Sequence, residues 1–174
     1  MRQRYPLQKS SPTPITIRPA VSGDAGGIAS IFLESAEYHA GLDPELYLVP
    51  ALESIAVRYR DGRQHSAHNA GATITLVAAV SGEVAGFVDA RLERIPDPMH
   101  RAMIYCSISE IAVARRYQNQ SIGGRLLRAA EDWGRLHRAE FAFLEYHTAN
   151  VHAGLFYQQR MGYRTASITA IKRL

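Results

Sequence analysis

The residues best suited to chemistry form a short polar turn, 118–124, that ends in two glycines. An apolar, strand-like segment precedes the turn, and apolar residues at helical spacing follow it: Ile122, Leu126, Ala130 and Trp133. The first N–H groups of a helix have no internal partner, and the helix dipole adds partial positive charge there. Cationic residues also lie near the turn: Arg115, Arg116, Arg125 and Arg128. The pattern therefore predicts a site for a phosphorylated ligand.

The segments around this turn predict a mixed α/β domain. Apolar and β-branched residues predict strands at 15–18, 73–80, 83–92, 103–113 and 141–147. Helical spacing and end residues predict helices at 22–41, 44–60, 122–138 and 150–162. Residues 163–174 are expected to supply one or two closing strands. This order of elements predicts a mixed sheet with helices on its faces.

Length and composition restrict the class of protein. With 174 residues, 47% of them apolar and 21% charged, the chain is typical of one soluble globular domain. Residues 1–14 are basic and proline-rich, so we expect a flexible leader before a domain at 15–174. The longest apolar run, 76–80, is too short to span a membrane, and no secretion signal is recognised. With Cys106 as the single cysteine, we expect a cytoplasmic protein without a membrane partner.

The charge pattern argues against two other classes of site. The net charge is only +4, and the arginines do not form a block with interleaved aromatic residues, so specific nucleic-acid binding is not expected. His65 and His68 lie three residues apart, but they lack further cysteine or histidine ligands nearby and do not predict a metal site. A basic site for an anionic cofactor accounts for the arginines near the turn.

The turn also carries a family resemblance. Gln118, Ser121 and Gly123 resemble the acyl-CoA motif of the GNAT superfamily of N-acyltransferases, usually Arg/Gln-x-x-Gly-x-Gly/Ala. Ser121 replaces the middle glycine, and Asn119 stands where another glycine is common. Glycine lets the backbone approach a pyrophosphate closely and adopt positive φ, which serine does less readily and asparagine fairly well. Ser121 is therefore the stronger departure from the motif.

A second block resembles the same superfamily. That block commonly runs Asn-x-x-Ala-x-x-Phe/Leu-Tyr-x-x-x-Gly-Phe, and this chain carries its residue types in the same order: Asn150, Ala153, Phe156, Tyr157, Gly162 and Tyr163. Each residue alone has a structural explanation, as a helix cap or a packing residue. Because both blocks occur together in the family order, the chain is identified as a member over roughly residues 15–172. Membership implies a single-domain GNAT fold whose mixed, mostly antiparallel, twisted sheet carries helices on both faces.

The resemblance implies a site for acetyl-CoA as co-substrate, without a metal. Main-chain groups of the central strand would hold the pantetheine arm and polarise the thioester carbonyl, and these belong to Ile111, Ala112 and Val113. Backbone N–H groups of the turn would hold the pyrophosphate, and these belong to Gln118, Asn119, Gln120, Ser121, Ile122, Gly123 and Gly124. Asn150 would contact the cofactor from the second block.

Acyl transfer to an amine also needs a base for the amine and an acid for the leaving thiolate. Tyr157 is the candidate acid, because a phenol with a pKa of about 10 stays protonated at neutral pH. Two carboxylates are candidate bases. Glu110 lies on the central strand, where many GNAT enzymes carry a base that acts through water. Glu145 is similar to a glutamate of bacterial ribosomal-protein N-terminal acetyltransferases, and His147 is an alternative proton relay.

The expected acceptor is a primary amine, of a small molecule or of a peptide or protein N-terminus. In the family the first two helices and the loop after the hairpin grip it, here residues 37–60 and 93–102, which contain Glu37, Tyr38, Asp43, Glu45, Tyr47, Asp97 and His100. Acidic groups suit a cationic amine. The sequence favours an acetyl-CoA-dependent N-acetyltransferase, with a homodimer as one expected state. The alternative is a non-catalytic acyl-CoA-binding regulatory module, which would have no need of Tyr157 and the two carboxylates.

Overall fold

The computed structural model of the protein describes residues 14–61, 72–94 and 98–173. Residues 1–13 of the predicted leader lie outside the described residues, as do His65, His68 and Asp97. Within the described ranges the chain forms one mixed α/β domain.

Five strands form a single sheet in sequence order. They are β1 (Ile15–Pro19), β2 (Thr73–Val80), β3 (Glu83–Arg94), β4 (Ile104–Val113) and β5 (Phe141–Leu144). The first three pairings are antiparallel and the last, between β4 and β5, is parallel. Ser81 and Gly82, both at positive φ, join β2 to β3 in the predicted hairpin. The predicted mixed, mostly antiparallel sheet is confirmed.

The helices cover both faces of this sheet. They are α1 (Ala25–Leu42), α2 (Leu52–Arg60), α3 (Ile122–Leu136) and α4 (Val151–Leu155). α1 and α2 bury their apolar side chains against Val77 and Phe87 on one face. α3 packs against Val88 and Ala90 on the other face, together with Tyr157 from the end of the chain. Among the described residues, no helix is both long and apolar enough to cross a membrane.

The start of the second helix differs from the prediction. We expected it over 44–60, but α2 begins only at Leu52. The Asp43 side chain accepts the N–H groups of Glu45 and Leu46, at 3.1 and 3.3 Å. A carboxylate that satisfies those donors stabilises a turn in place of helix. Residues 43–51 are therefore a loop, beside the start of the last helix.

The end of the chain also differs from the prediction. β5 stops at Leu144, three residues earlier than expected, and the predicted closing strands are wrong, because residues 162–173 have no regular secondary structure. Ile168 and Ile171 are 84% and 67% exposed. A four-residue strand offers few edge hydrogen bonds for a further strand, so apolar alternation alone does not extend the sheet.

Candidate active site

A gap between β4 and β5 lies at the centre of the site. The two parallel strands pair only as far as Ile108 with Leu144, whereas β4 continues to Val113. Beyond that point the main chain of β4 faces no strand on this side among the described residues. The predicted pantetheine-binding residues lie along this free edge, where alternate residues direct their N–H and C=O groups away from β3: Ile111, Ala112 and Val113.

A β-bulge directs Glu110 in this part of β4. Asp89 pairs with Glu110 across β3 and β4, but Ala90 pairs with Ile108, so Ser109 is an extra residue. Side chains alternate along a strand, and one extra residue turns those that follow to the other face. Ile108 packs in the core beneath α3, whereas Glu110 shares the α1/α2 face with Asp89. Without the bulge, Glu110 would point towards α3.

The environment of Glu110 favours its protonated form. The side chain is partly buried, and its carboxyl makes no hydrogen bond to any described residue. Burial raises the pKa of Glu110 to about 7, and the negative charge of Asp89 acts in the same direction while Arg58 opposes both. A carboxylate with a pKa near the working pH is well matched to general-base catalysis.

Tyr157 packs in the core on the α3 face of the sheet. Its side chain is only 8% exposed, and its ring packs among Tyr146, Phe156 and Tyr163, with centroids 5.5, 5.2 and 6.1 Å away. Burial raises the pKa of Tyr157 to about 12, and the nearby charge of Glu110 adds to the rise. The hydroxyl makes no hydrogen bond to a described residue. Tyr157 is therefore a protonated phenol on which the charge of Glu110 acts.

The helix that carries Tyr157 changes its winding. α4 continues as a π-helical turn over Phe156–Arg160, in which the Met161 N–H donates to the Phe156 carbonyl at 3.2 Å. The family block places three residues between its tyrosine and its glycine, but four stand between Tyr157 and Gly162 here. A π-turn accommodates one additional residue, so Gly162 still ends the helix, at φ 78°.

The turn before α3 has the conformation that an anion site needs. Asn119 and Ser121 both adopt φ 61°, the left-handed region that the glycines of the motif favour. The main-chain N–H groups of residues 119–124 donate to no acceptor among the described residues. Gln118 donates from Nε2 to the Val113 carbonyl at 3.2 Å, which ties the turn to the end of β4. The two substitutions therefore leave the shape of the turn intact.

The arginines contribute less free charge than their sequence positions suggest. Arg115 lies 3.5 Å from the Glu37 carboxylate, and Arg116 lies 2.9 Å from that of Glu83. Arg125 donates to the Ile15 carbonyl at 2.8 Å. Among the described residues, Arg128 donates only to the Met161 sulfur, so Arg125 and Arg128 keep their charge. Unpartnered N–H groups and the helix dipole add to the positive potential at the turn.

The remaining predicted site residues lie around the start of α4. Asn150 caps this helix, because its Oδ1 accepts the Ala153 N–H at 3.1 Å, and the Tyr38 hydroxyl donates to the same oxygen at 3.4 Å. His147 Nε2 lies 3.4 Å from an Asp43 oxygen. Glu145 is exposed beyond the end of β5 and makes no contact with Glu110 or Tyr157 among the described interactions. Of the two candidate bases, Glu110 is the one whose charge acts on Tyr157 among the described residues.

Sequence reasoning missed three polar residues behind Glu110, namely Asp89, Tyr59 and Thr75. Asp89 is fully buried and accepts a hydrogen bond from each of the other two. An acidic residue inside the apolar run of β3 was the only indication in the sequence. Nothing in a linear pattern places it opposite Glu110.

The Acetyltransferase (GNAT) family model matches residues 29–163, so the chain belongs to this family of acetyltransferases. The predicted family membership is confirmed. Comparison with curated protein sequences gives no significant match.

Solved structures share the fold at low sequence identity. A mutant of a Bacillus halodurans protein is 19% identical, with 91% of this chain and 99% of that chain covered and a TM-score of 0.80. The aminoglycoside N-acetyltransferase AAC(6')-Iy in complex with CoA is 13% identical, with 94% and 97% covered and a TM-score of 0.70. An aminoglycoside acetyltransferase from an uncultured soil metagenomic sample, in complex with sisomicin, is 14% identical, with 92% and 95% covered and a TM-score of 0.59. These similarities establish the GNAT fold.

Proposed function

We propose that this protein is an N-acetyltransferase that moves the acetyl group of acetyl-CoA to a primary amine, with Glu110 as the base and Tyr157 as the acid. The observation that carries the proposal is the position of these two groups. Glu110 lies on β4 where that strand separates from β5, and its charge acts on Tyr157, which follows the end of α4. A protein that only binds an acyl-CoA has no physical need for a base and an acid at that point.

The residues present fit acetyl-CoA. Free N–H groups at residues 119–124 and the dipole of α3 suit the pyrophosphate, and the free edge of β4 suits the amide groups of the pantetheine arm. Bound there, acetyl-CoA supplies the thioester. We also assign Asn150 a cofactor contact, in addition to its role as a helix cap.

The chemistry then divides between two protein groups. Glu110, through a water molecule, accepts the proton of the amine as its nitrogen attacks the thioester carbonyl carbon. When the carbon–sulfur bond breaks, the Tyr157 hydroxyl donates its proton to the sulfur, so that the thiol leaves as a neutral group. N–H groups of β4 stabilise the oxyanion that forms between these steps. Glu145, which is exposed, becomes the secondary candidate base.

For the acceptor we propose a cationic amine. The last turns of α1 and the loop after it bring Tyr38, Asp43 and Tyr47 beside the start of α4, where Tyr47 contacts the His147 ring at a centroid distance of 5.8 Å. Aromatic faces and carboxylates both attract ammonium groups. The aminoglycosides bound by structural relatives are one such class, alongside polyamines and peptide N-termini.

The test of this function is release of the CoA thiol from acetyl-CoA across a panel of aminoglycosides, polyamines, amino acids and peptides. We expect amine-dependent thiol release with at least one class, together with an acetylated product of matching mass. Binding of acetyl-CoA without amine-dependent thiol release for any class would instead support the non-catalytic acyl-CoA-binding module.

Substitution at Ser121 tests the cofactor site by itself. Ser121→Gly should keep or improve the micromolar-range affinity that we expect for acetyl-CoA, because a left-handed conformation costs a non-glycine residue about 1 kcal/mol. Ser121→Val places a β-branched side chain in that conformation and should weaken binding by about tenfold. Titration calorimetry measures both. No binding of the parent protein at millimolar cofactor would contradict the site, and a large loss in Ser121→Gly would make the hydroxyl itself a ligand contact.

A further inference from the structure

A buried charge lies directly behind the proposed base. Asp89, near the middle of β3, is fully buried in an otherwise apolar stretch. The Tyr59 hydroxyl donates to its Oδ2 at 2.8 Å, and the Thr75 hydroxyl donates to its Oδ1 at 2.6 Å. Donors on both oxygens favour the ionised carboxylate. The domain therefore holds a fixed negative charge inside its α1/α2 face.

Glu110 is the residue opposite this charge. Directly opposed residues on antiparallel strands have Cβ atoms about 4.5–5.5 Å apart on the same face. The bulge at Ser109 creates this opposition, because it turns Glu110 away from α3 and towards Asp89. Two carboxyl groups so placed do not both ionise readily. Asp89 is held by two donors and Glu110 by none among the described residues, so the shared proton belongs on Glu110.

We propose that Asp89 is a positioning residue that sets the pH range in which Glu110 carries a proton, by charge repulsion across the β3–β4 ladder. The proposal rests on the proposed function only in taking Glu110 as the base. A carboxylate next to a fixed negative charge binds a proton more tightly and so removes one from an amine more effectively. Tyr59 and Thr75 serve this role indirectly, because each hydrogen bond helps to hold the Asp89 carboxylate in place.

Three other ionisable groups interact electrostatically with Glu110, and none of them carries a negative charge at neutral pH. Tyr59 on α2 and Tyr157 after α4 are neutral, because burial raises the pKa of both phenols well above neutrality. Arg58, also on α2, is the one cation whose charge acts on Glu110 among the described residues, and it lowers the pKa of Glu110. Asp89 is therefore the charge whose removal should make Glu110 more acidic.

The test follows the carboxyl carbon of Glu110 by NMR in carbon-labelled full-length protein, with the resonance assigned through Glu110→Gln. In Asp89→Asn we expect the titration midpoint of Glu110 to fall by about one pH unit, as expected on loss of one nearby like charge. The acidic limb of kcat/KM, measured on the same samples, should fall with it. Arg58→Gln should move the midpoint in the opposite direction.

Tyr59→Phe is the matched control. Tyr59→Phe removes one hydrogen bond from the buried cluster, and Asp89→Asn weakens one in the same cluster. The two variants differ in charge, because Tyr59→Phe leaves the Asp89 charge in place. Its Glu110 midpoint should stay within a few tenths of a pH unit of the parent value, a much smaller change than one full like charge produces. Equal shifts in Tyr59→Phe and Asp89→Asn would show that loosened packing moves the midpoint, and would overturn the proposal.

The two readouts separate this proposal from the proposed function. A Glu110 midpoint that does not move in folded Asp89→Asn overturns the role of Asp89, whatever the activity does. A midpoint that moves while the acidic limb of kcat/KM stays in place supports Asp89 and removes Glu110 as the base. If Asp89→Asn does not fold, Glu110→Gln provides the reciprocal test. In the parent the Asp89 carboxyl carbon should show a small second step at the Glu110 midpoint, and Glu110→Gln should remove it; the lack of such a step in the parent overturns the proposal.

Discussion

Tyr157→Phe is expected to lower turnover by about 10²–10⁴-fold, the usual contribution of a general acid. Phenylalanine keeps the ring in its aromatic cluster and deletes only the proton donor. The affinity for acetyl-CoA and the Michaelis constant of the acceptor should change little, because the leaving-group proton matters in the transition state and not in the ground state. The free energy of unfolding should stay within about 1 kcal/mol of the parent, since the hydroxyl makes no hydrogen bond to a described residue.

Tyr163→Phe is the control for this variant. Tyr163 packs against Tyr157, with ring centroids 6.1 Å apart, but its hydroxyl donates to Glu131 at 3.0 Å. Loss of that hydrogen bond should cost about 1 kcal/mol of stability and leave turnover nearly normal. Thermal melts and steady-state kinetics on both variants measure the two effects. Normal turnover in Tyr157→Phe would make Tyr157 a packing residue, with the proton supplied by water or another side chain.

Glu110→Gln is expected to reduce kcat by about 10²–10⁴-fold, the range typical of a general base. Since the pKa of Glu110 is raised to about 7, the parent should lose kcat/KM as pH falls through that value. The residual activity of the variant should lack this acidic limb. Steady-state rates between pH 5.5 and 9 are measured twice, once with the acceptor in excess and once below saturation. Comparison of the parent with Glu110→Gln under both conditions separates the acidic limb from changes in acceptor ionisation.

The same variant should gain stability at alkaline pH. The folded state holds the Glu110 proton up to about pH 7, whereas an unfolded glutamate releases it near its usual pKa of about 4.3. The parent therefore loses stability as pH rises between these values, because the folded state must then accommodate a poorly solvated charge. Glutamine removes that cost, so we expect Glu110→Gln to be about 1–3 kcal/mol more stable than the parent at pH 8. Urea denaturation at pH 5 and pH 8 measures the difference.

Glu145→Gln provides the comparison for both readouts. Its side chain is exposed beyond the end of β5, so the substitution should change stability by less than about 0.5 kcal/mol and turnover only modestly. The opposite result, in which only Glu145→Gln abolishes activity, would make Glu145 the base. The similarity to ribosomal-protein N-terminal acetyltransferases would then be the better guide to the acceptor.

Local features of the sequence predicted most of the fold. The apolar alternation of β2 and β3, the helical spacing of α3 and the paired motifs around Gln118 and Tyr157 each depend on residues close together in the chain. The predictions made from these features agree with the structure because periodicity and turn chemistry act over one or two turns of backbone. The same reasoning failed at residues 44–51 and 162–173, where a carboxylate in a turn and the lack of a strand partner override propensity.

The motifs can be recognised in the sequence, but the arrangement of the candidate site depends on the tertiary structure. The sequence alone identified Glu110, Glu145 and Tyr157 as candidates for acid–base work, and it predicted that a helix begins after Ser121. The bulge at Ser109, the separation of β4 from β5 and the burial of Asp89 opposite Glu110 emerge only when the strands are paired. Strand register and the charges across a ladder join segments that are distant in sequence, so no local pattern specifies them.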